Sequence, residues 1–440
     1  MPIPYKPDAP DSQSIRLVIF DSSSSSDGST ATGSAVNIDR WLDYEFASDF
    51  LTPSDSFQFT LGVDEEGLPE KQRKALKMGA RVNLFLEKNA LADSYIDTIE
   101  VSADRHSGVR YGIHGRDRLG QTLDTVVDPS FQLKDGGTLA DLLIRLFEPF
   151  GWAGEDHFVI DNTANRNAKS GIRGTPTNRG GKKGIVKPLK SYVLHQTKPY
   201  NHESVFHFAS RVAQRHGLWI WVTADGEQLV IGKPDFDQEA IFTLHRGRSG
   251  AGNILSGSVR FDMTDQPTMI MADSFTVGGS GEFGKGRSRA HIINPLLGFP
   301  DDSVGEPIQE VEDLLKKWPG SVEQELPRAS FPFRAANIQF RPMFLHDDES
   351  KTQEQINNYV KREMSLLYRK ALTAHYVVEG HGQTVDGRFI AWAPDTVVDV
   401  IDDVAELREQ LYVLGVAFSK SRHSGTTTRL DLVRLNSISF

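Results

Sequence analysis

The sequence predicts a β-rich α+β chain in which one β-domain occurs near each end and helical material lies between. Three observations carry that prediction. Period-two alternation of apolar and polar residues dominates both ends of the chain. Two helical patterns, the second followed by a hairpin signal, fill the middle. The word Arg-His-Ser-Gly stands at Arg105–Gly108 and again at Arg422–Gly425, each time among similar strand patterns.

In chain order, Ile15–Phe20 is β-rich and runs into the segment 21–35, made mostly of Ser, Gly and Thr. Such a run cannot bury enough apolar area to offset its own ordering, so a surface loop between two strands is expected. Val36–Gly62 carries Trp41, Phe46, Phe50, Phe57 and Phe59 on either side of Thr52-Pro-Ser-Asp-Ser56, which reads as two strands around a turn. Val82–Leu86 and Ile96–Val101 continue the alternation. Thr138–Phe147 has apolar residues at three and four spacing behind Thr138, a good N-cap. Ser204–His216 repeats the pattern, with Val205, Phe208, Ala209, Val212 and Ala213 on one face. Two short strands then flank Asp225-Gly226, a hairpin signal. Between Asp161 and Glu203 there is no acid, yet nine Lys or Arg occur, Lys182 and Lys183 among them, so 162–202 reads as an exposed basic loop. Thr352–Leu372 is the longest helical pattern, with one apolar stripe. From Ala374 onward the chain is β again.

The case for a repeat rests on the flanks of the repeated word rather than on the word itself. Val82–Leu86 and Ile96–Val101 precede the first copy; Val398–Ile401 and Leu411–Phe418 precede the second. A third strand pattern follows each, from Val109 and from Thr426. Hairpins with Ser-Gly turns are common and fit the bland reading, with His106 and His423 merely solvated. One β-domain present twice is the sharper one, and it requires Gly108 to match Gly425, each at positive φ.

Composition narrows the chemistry. With no cysteine, thiolate nucleophiles, disulfides and Cys-ligated metals are excluded. No apolar run approaches the about 20 residues of a bilayer span, and a soluble chain is expected. The opening residues Met1–Pro10 mix prolines with an acid, so no export signal is expected. A net charge of −10 argues against general nucleic-acid binding.

Three motifs approach catalytic patterns and fall short. Gly279–Gly286 resembles a phosphate-cradling loop, but Gly286 stands where a magnesium-binding hydroxyl belongs and no helical pattern follows. His202 and His207 are five residues apart, which rotates them about 140° apart on a helix, too far to share one metal. A helix N-terminus with Glu203 near its positive end explains them better. The segment 301–325 holds eight carboxylates against two lysines, a solvated acidic face. Carboxylates there, Asp301, Asp302 and Glu306 first, define the alternative reading of a cell-wall-cleaving or other carbohydrate-active enzyme. No Gly-x-Ser-x-Gly nucleophile elbow is present. Neither enzymatic activity, cofactor nor metal is expected.

Four stretches together resemble the baseplate hub proteins of contractile phage tails, the Mu-like and T-even-like hub family related to the N-terminal part of type VI secretion spikes. They are Trp41–Phe59 with Asp49-Phe-Leu-Thr-Pro-Ser-Asp55; Ile113–Asp124, similar to that family's glycine-arginine step out of the first barrel; Glu203–Lys233; and Ile390–Val400 through Gly425–Leu432. The resemblance implies tube-like β-barrels at 1–128 and at 238–280 plus 374–440. Between them comes a helix-hairpin α/β domain at 129–237, and 281–373 is an insertion into or beside the second barrel. It also implies a trimeric symmetry adaptor joining a six-fold tail tube to a three-fold spike around a DNA channel. Partners would be the central spike, tube or tube-initiator proteins, other baseplate proteins and the tape measure protein, in a virion tail assembled in the host cytoplasm. Neither sequence-specific nucleic acid nor membrane insertion is implied. The interaction residues expected are Arg105, His106, Ser107 and Gly108; Arg422, His423, Ser424 and Gly425; and Lys182 and Lys183. Duplication gives six similar domains from three chains. Three chains at −10 would carry −30, which repels DNA phosphate rather than retaining it.

Overall fold

The computed structural model describes residues 3–6, 13–20, 35–38, 41–63, 68–105, 108–134, 136–160, 189–194, 197–236, 238–275, 287–297, 341–350, 352–435 and 437. The chain divides into two units. The first comprises Met1–Ala213, Trp219–Val259 and Ala374–Leu435; the second comprises Gln214–Leu218, Arg260–Thr373 and Asn436–Phe440. The segments 21–34, 161–188, 276–286 and 298–340 lie outside the described residues. They hold most of the Ser-rich and basic loops, the near phosphate loop and the acidic stretch.

A sheet of fourteen strands dominates the first unit, and it contains the same strand order twice. Near the N-terminus the order in space is Ile15–Ile19, Arg81–Leu86, Asn89–Asp104, Gly108–Asp117, Ser56–Val63, Asp43–Asp49. Toward the C-terminus it is Phe242–Arg246, Thr396–Asp402, Leu407–Ser421, Gly425–Arg434, Leu372–Glu379, Ile254–Phe261. Ranked by position in the chain, the two lists correspond strand for strand.

The long hairpins agree to the residue. Ser94–Ile96 faces Asp117–Gly115, the ladder shifts across Asp97, and Thr98–Asp104 then faces His114–Gly108. In the second copy Leu411–Val413 faces Arg434–Leu432, the ladder shifts across Leu414, and Gly415–Ser421 faces Asp431–Gly425. Both bulges and both strand ends are separated by one offset, 422 minus 105, or 317 residues. The outermost strand breaks the match: Ile15–Ile19 runs antiparallel to its neighbour, whereas Phe242–Arg246 runs parallel to its own and takes Ile3–Pro4, also parallel, on its far side.

Each sheet curls until side chains bridge its first and last strands. In the N-terminal copy the Trp41 indole N–H donates to the Ile15 carbonyl at 2.9 Å, and the Ile15 N–H reaches the Tyr44 hydroxyl. In the C-terminal copy the Asn253 amide donates to the Thr243 carbonyl, and Arg246 donates to the Gly257 carbonyl at 2.7 Å. Alternation does the rest. Phe57, Phe59 and Leu61 are buried while Ser56 and Gln58 face solvent, the pattern of a half-buried strand. Leu17, Val82, Leu84 and Ile113 complete that core; Val398, Leu411, Leu430 and Leu432 help fill the other.

The two copies are stitched into one sheet. Leu407–Ser421 is longer than its neighbour Thr396–Asp402, and its overhang Gly415–Ser421 pairs antiparallel with Asp49–Asp43. Phe46 and Phe418 meet across this seam with ring centroids 6.0 Å apart.

The helix-hairpin portion follows the sequence reading closely. Leu139–Phe147 starts at Thr138, whose hydroxyl accepts from Asp141 N–H while Asp141 accepts in return, a capping box. Val205–Arg215 buries the five apolar residues expected of it. Trp219–Val222 and Leu229–Gly232 form the hairpin, and Phe158–Ile160 adds a parallel third strand.

In the second unit Met269–Phe275 is the central strand between antiparallel Arg287–Ile293 and parallel Pro342–His346. It lies within the range expected for the second barrel, but its partners are here. Helix Gln353–Lys370, capped by Thr352, packs Ile356, Val360 and Met364 on Ile270, Ala272 and Ala290. It ends two residues short of the expected Leu372, which instead opens a strand.

Candidate interaction surfaces

The two Arg-His-Ser-Gly turns close equivalent hairpins. Gly108 has φ +73° and Gly425 φ +69°, the left-handed region where glycine pays no steric cost. Arg105, Arg422, His423 and Ser424 are exposed at the tips. Ser424 is held by the Ser421 hydroxyl, which accepts its N–H at 3.0 Å. His106, Ser107, Lys182 and Lys183 lie outside the described residues. Among the described residues, four of these stand at one tip and two, Arg105 and Gly108, at the other.

The two histidines of the discarded metal pattern have separate roles. His202 sits at φ +60° in the turn before the helix, and His207 pairs with the Ser204 hydroxyl at 2.9 Å. Glu203 is taken by Arg211, which donates to both carboxylate oxygens at 2.7 and 2.8 Å. Among the described residues no cluster of three or more His, Asp or Glu is placed to hold a metal ion. No helix among them is long and apolar enough to cross a membrane.

Sequence reasoning missed a polar junction at Arg118, although both halves of it lay in stretches singled out for other reasons. Arg118 donates to the Gly226 carbonyl at 2.5 Å and to the Phe150 carbonyl at 2.9 Å, and its guanidinium lies 4.3 Å from the Trp152 ring centre. Trp152 donates to the same Gly226 carbonyl at 3.1 Å. Asp93, fully buried, accepts both prongs of Arg81 and stands 3.8 Å from Arg118. Gly226 has φ +72°, and a Cβ there would lie 2.5 Å from Asp93, so the Asp-Gly turn serves both hairpin geometry and close approach. The junction ties the helix-hairpin portion to the first barrel. Burial lowers the affinity of Arg118 for its proton, opposed by the Asp93 charge.

Two further buried networks hold the barrels. His381 joins the Tyr44 hydroxyl at 2.9 Å and the Thr428 hydroxyl at 3.1 Å, and its N–H reaches the Gln13 side chain. Burial first, and the Lys420 charge second, push its ring down to about 3. Asp402 accepts from Arg246 and from the Tyr376 hydroxyl at 2.8 Å; burial and the Asp402 charge push the Tyr376 phenol up.

Comparison with known proteins shows where the same fold occurs. No family model matches the chain, and no curated protein matches it. Among solved structures, the tail protein from Neisseria meningitidis MC58 superposes with a TM-score of 0.63 at 17% identity, over 97% of this chain and 99% of that one. The 43 kDa tail protein of prophage MuSo2 from Shewanella oneidensis superposes at 0.64 and 16% identity, over 97% and 100%. A Francisella PdpA–VgrG complex matches at 0.49 and 8% identity, over 97% of this chain and 59% of that one. End to end, the chain has the fold of these phage tail proteins.

Proposed function

We propose that this chain is the structural hub of a contractile phage tail baseplate, or of a related injection machine. In this reading three copies assemble into a ring that adapts a six-fold tail tube to a three-fold central spike and leaves a channel for DNA. The observation that carries it is the duplication: two barrels share strand order, bulge position and turn register within one chain, so a trimer presents six similar domains. The likeness to tail proteins over their full length supports the same reading, and the charge of −10 per chain suits a channel that must not retain phosphate.

Within that ring the two exposed turns, Arg105–Gly108 and Arg422–Gly425, are the contact points with the tube, the tube initiator or the spike. The basic segment around Lys182 and Lys183 meets an acidic face of an adjoining baseplate protein. The chain acts as a scaffold without catalysis, in the virion tail, after assembly in the host cytoplasm. Light scattering tests this: the expected species is three times the 48.9 kDa chain mass, alone or with the spike. A chain that stays monomeric with its spike overturns the adaptor.

A further inference from the structure

Among the described residues the chain contains one barrel-to-barrel seam and the two halves of a second that no described strand fills. In the seam, the overhang Gly415–Ser421 of the C-terminal barrel takes the edge strand Asp43–Asp49 of the N-terminal barrel. By the 317-residue offset, the counterpart of that overhang is the end of Asn89–Asp104. There Arg81–Leu86 covers only Asn89–Tyr95, and among the described residues no strand pairs with the outer edge of Thr98–Ala103. The counterpart of Asp43–Asp49 is Ile254–Phe261, which pairs with Leu372–Glu379 and, among the described residues, with no other strand. Among the described residues, each copy thus presents an unpaired overhang on one barrel and an unpaired edge on the other.

The register transfers residue by residue. Gly380 N–H meets the Thr426 carbonyl where Val63 faces Val109, so Leu372–Glu379 obeys the same 317 offset and Tyr376 stands in the place of Phe59. Phe59 faces Tyr44. Gly257 lies under the Tyr376 ring, as Gly115 lies under its cross-strand partner Phe57, and Asp262 N–H reaches the Ala371 carbonyl. Gly257 therefore occupies the place of Tyr44, an offset of 257 minus 44, or 213. The seam pair Phe46 and Phe418 becomes Val259 and Val101; Ala47 and Ala417 become Arg260 and Glu100; Glu45 and Ser419 become Ser258 and Ser102.

These pairs are complementary although nothing in the transfer required it. Glu100 falls opposite Arg260, a favourable cross-strand pair. Val101 is 57% exposed and Phe261 is 55% exposed, large apolar side chains on two strand edges that a soluble protein normally blunts.

We propose that copies of this chain join head to tail by strand addition, Thr98–Ala103 of one copy pairing antiparallel with Ile254–Phe261 of the next in the register of the internal seam. The contact is heterologous, so it closes into a ring or runs on as a filament; it rests on the trimeric reading above for closure at three.

The chain has no cysteine, so the double variant Ser102→Cys with Ser258→Cys isolates the contact. Mild oxidation of the full chain is expected to give a covalent ladder ending at trimer, while the shifted pair Ser102→Cys with Ser256→Cys gives several-fold less. Charge reversal by Glu100→Arg is expected to raise the protein concentration for half-assembly about tenfold, and adding Arg260→Glu to restore it. Equal cross-linking by the shifted pair, an intramolecular product without a ladder, or assembly indifferent to Glu100→Arg overturns the proposed edge. A trimer that assembles without cross-linking overturns this contact and leaves the hub reading standing. A monomer at every concentration, with or without spike, overturns both.

Discussion

Replacing Arg118 by alanine should loosen the helix-hairpin portion from the first barrel far more than replacing its neighbour Arg116. Both arginines sit in the same short stretch, and both contact acids. Arg118 has only 13% of its side chain exposed and donates to the backbone carbonyls of Gly226 and Phe150, both in the helix-hairpin portion. A hydrogen bond from a charged donor contributes about 1.5–3 kcal/mol, and the ring stacking on Trp152 adds about 1 kcal/mol. Arg118→Ala should therefore cost about 4 kcal/mol. Arg116 is 35% exposed and pairs with Asp97 and Asp124 at the surface, where solvent screening holds such pairs to about 0–1 kcal/mol each. Arg118→Lys should recover little, because an ammonium cannot span two carbonyls and a ring in the manner of a planar fork. Urea unfolding followed by tryptophan fluorescence reads the difference, with Trp152 buried at the junction. Equal midpoint shifts for the two alanine variants would refute the claim that this junction, rather than surface charge, joins the two parts.

Gly108→Ala and Gly425→Ala should each cost about 1 kcal/mol and by nearly equal amounts, since both glycines lie at positive φ with room for a methyl group. Urea midpoints check this, and a marked inequality counts against equivalent turns. His381 is neutral in the fold, held down to about 3 by burial, against about 6.5 in the unfolded chain. Unfolding takes up its proton below pH 6.5, so its contribution is full above that pH. It falls by about 1.4 kcal/mol per unit as pH drops toward 3. Urea titrations between pH 4.5 and 6.5 should show that slope, and His381→Gln should remove it.

Local chemistry was legible in the sequence wherever one segment alone decided the outcome. Thr138 ahead of apolar residues at three and four spacing specified a capped helix; Asp225-Gly226 specified a tight hairpin; the repeated word marked strand ends that match to the residue. What escaped depends on partners far away in the chain. Asp97 and Leu414 occupy equivalent bulges, yet one is charged and one apolar, because a bulged residue answers to the ladder and not to a side-chain preference. Arg118 and Gly226 are 108 residues apart, and neither announces the other. Met269–Phe275 reads as one more strand of a barrel, since alternation reveals that a face is buried without naming what buries it. The parallel entry of Phe242–Arg246 is likewise invisible, because pairing direction leaves no mark on a short apolar run.

The seam between the barrels also sets a clock for synthesis. Asp43 pairs with Ser421, so 421 minus 43, or 378 residues, must be translated after one partner before the other exists. At about 5–20 residues per second that is roughly 20–80 s. Throughout it, Asp43–Asp49 is a nascent strand with an unsatisfied edge, able to recruit the wrong neighbour on a crowded polysome. Contacts of such separation make folding slow, and they place completion of the N-terminal barrel's edge after release of the C-terminal hairpin. The hairpin Leu407–Arg434 thus covers the edge of a barrel begun more than 350 residues earlier, and a chain truncated before Gly415 would leave the ribosome with Asp43–Asp49 still lacking its outer partner.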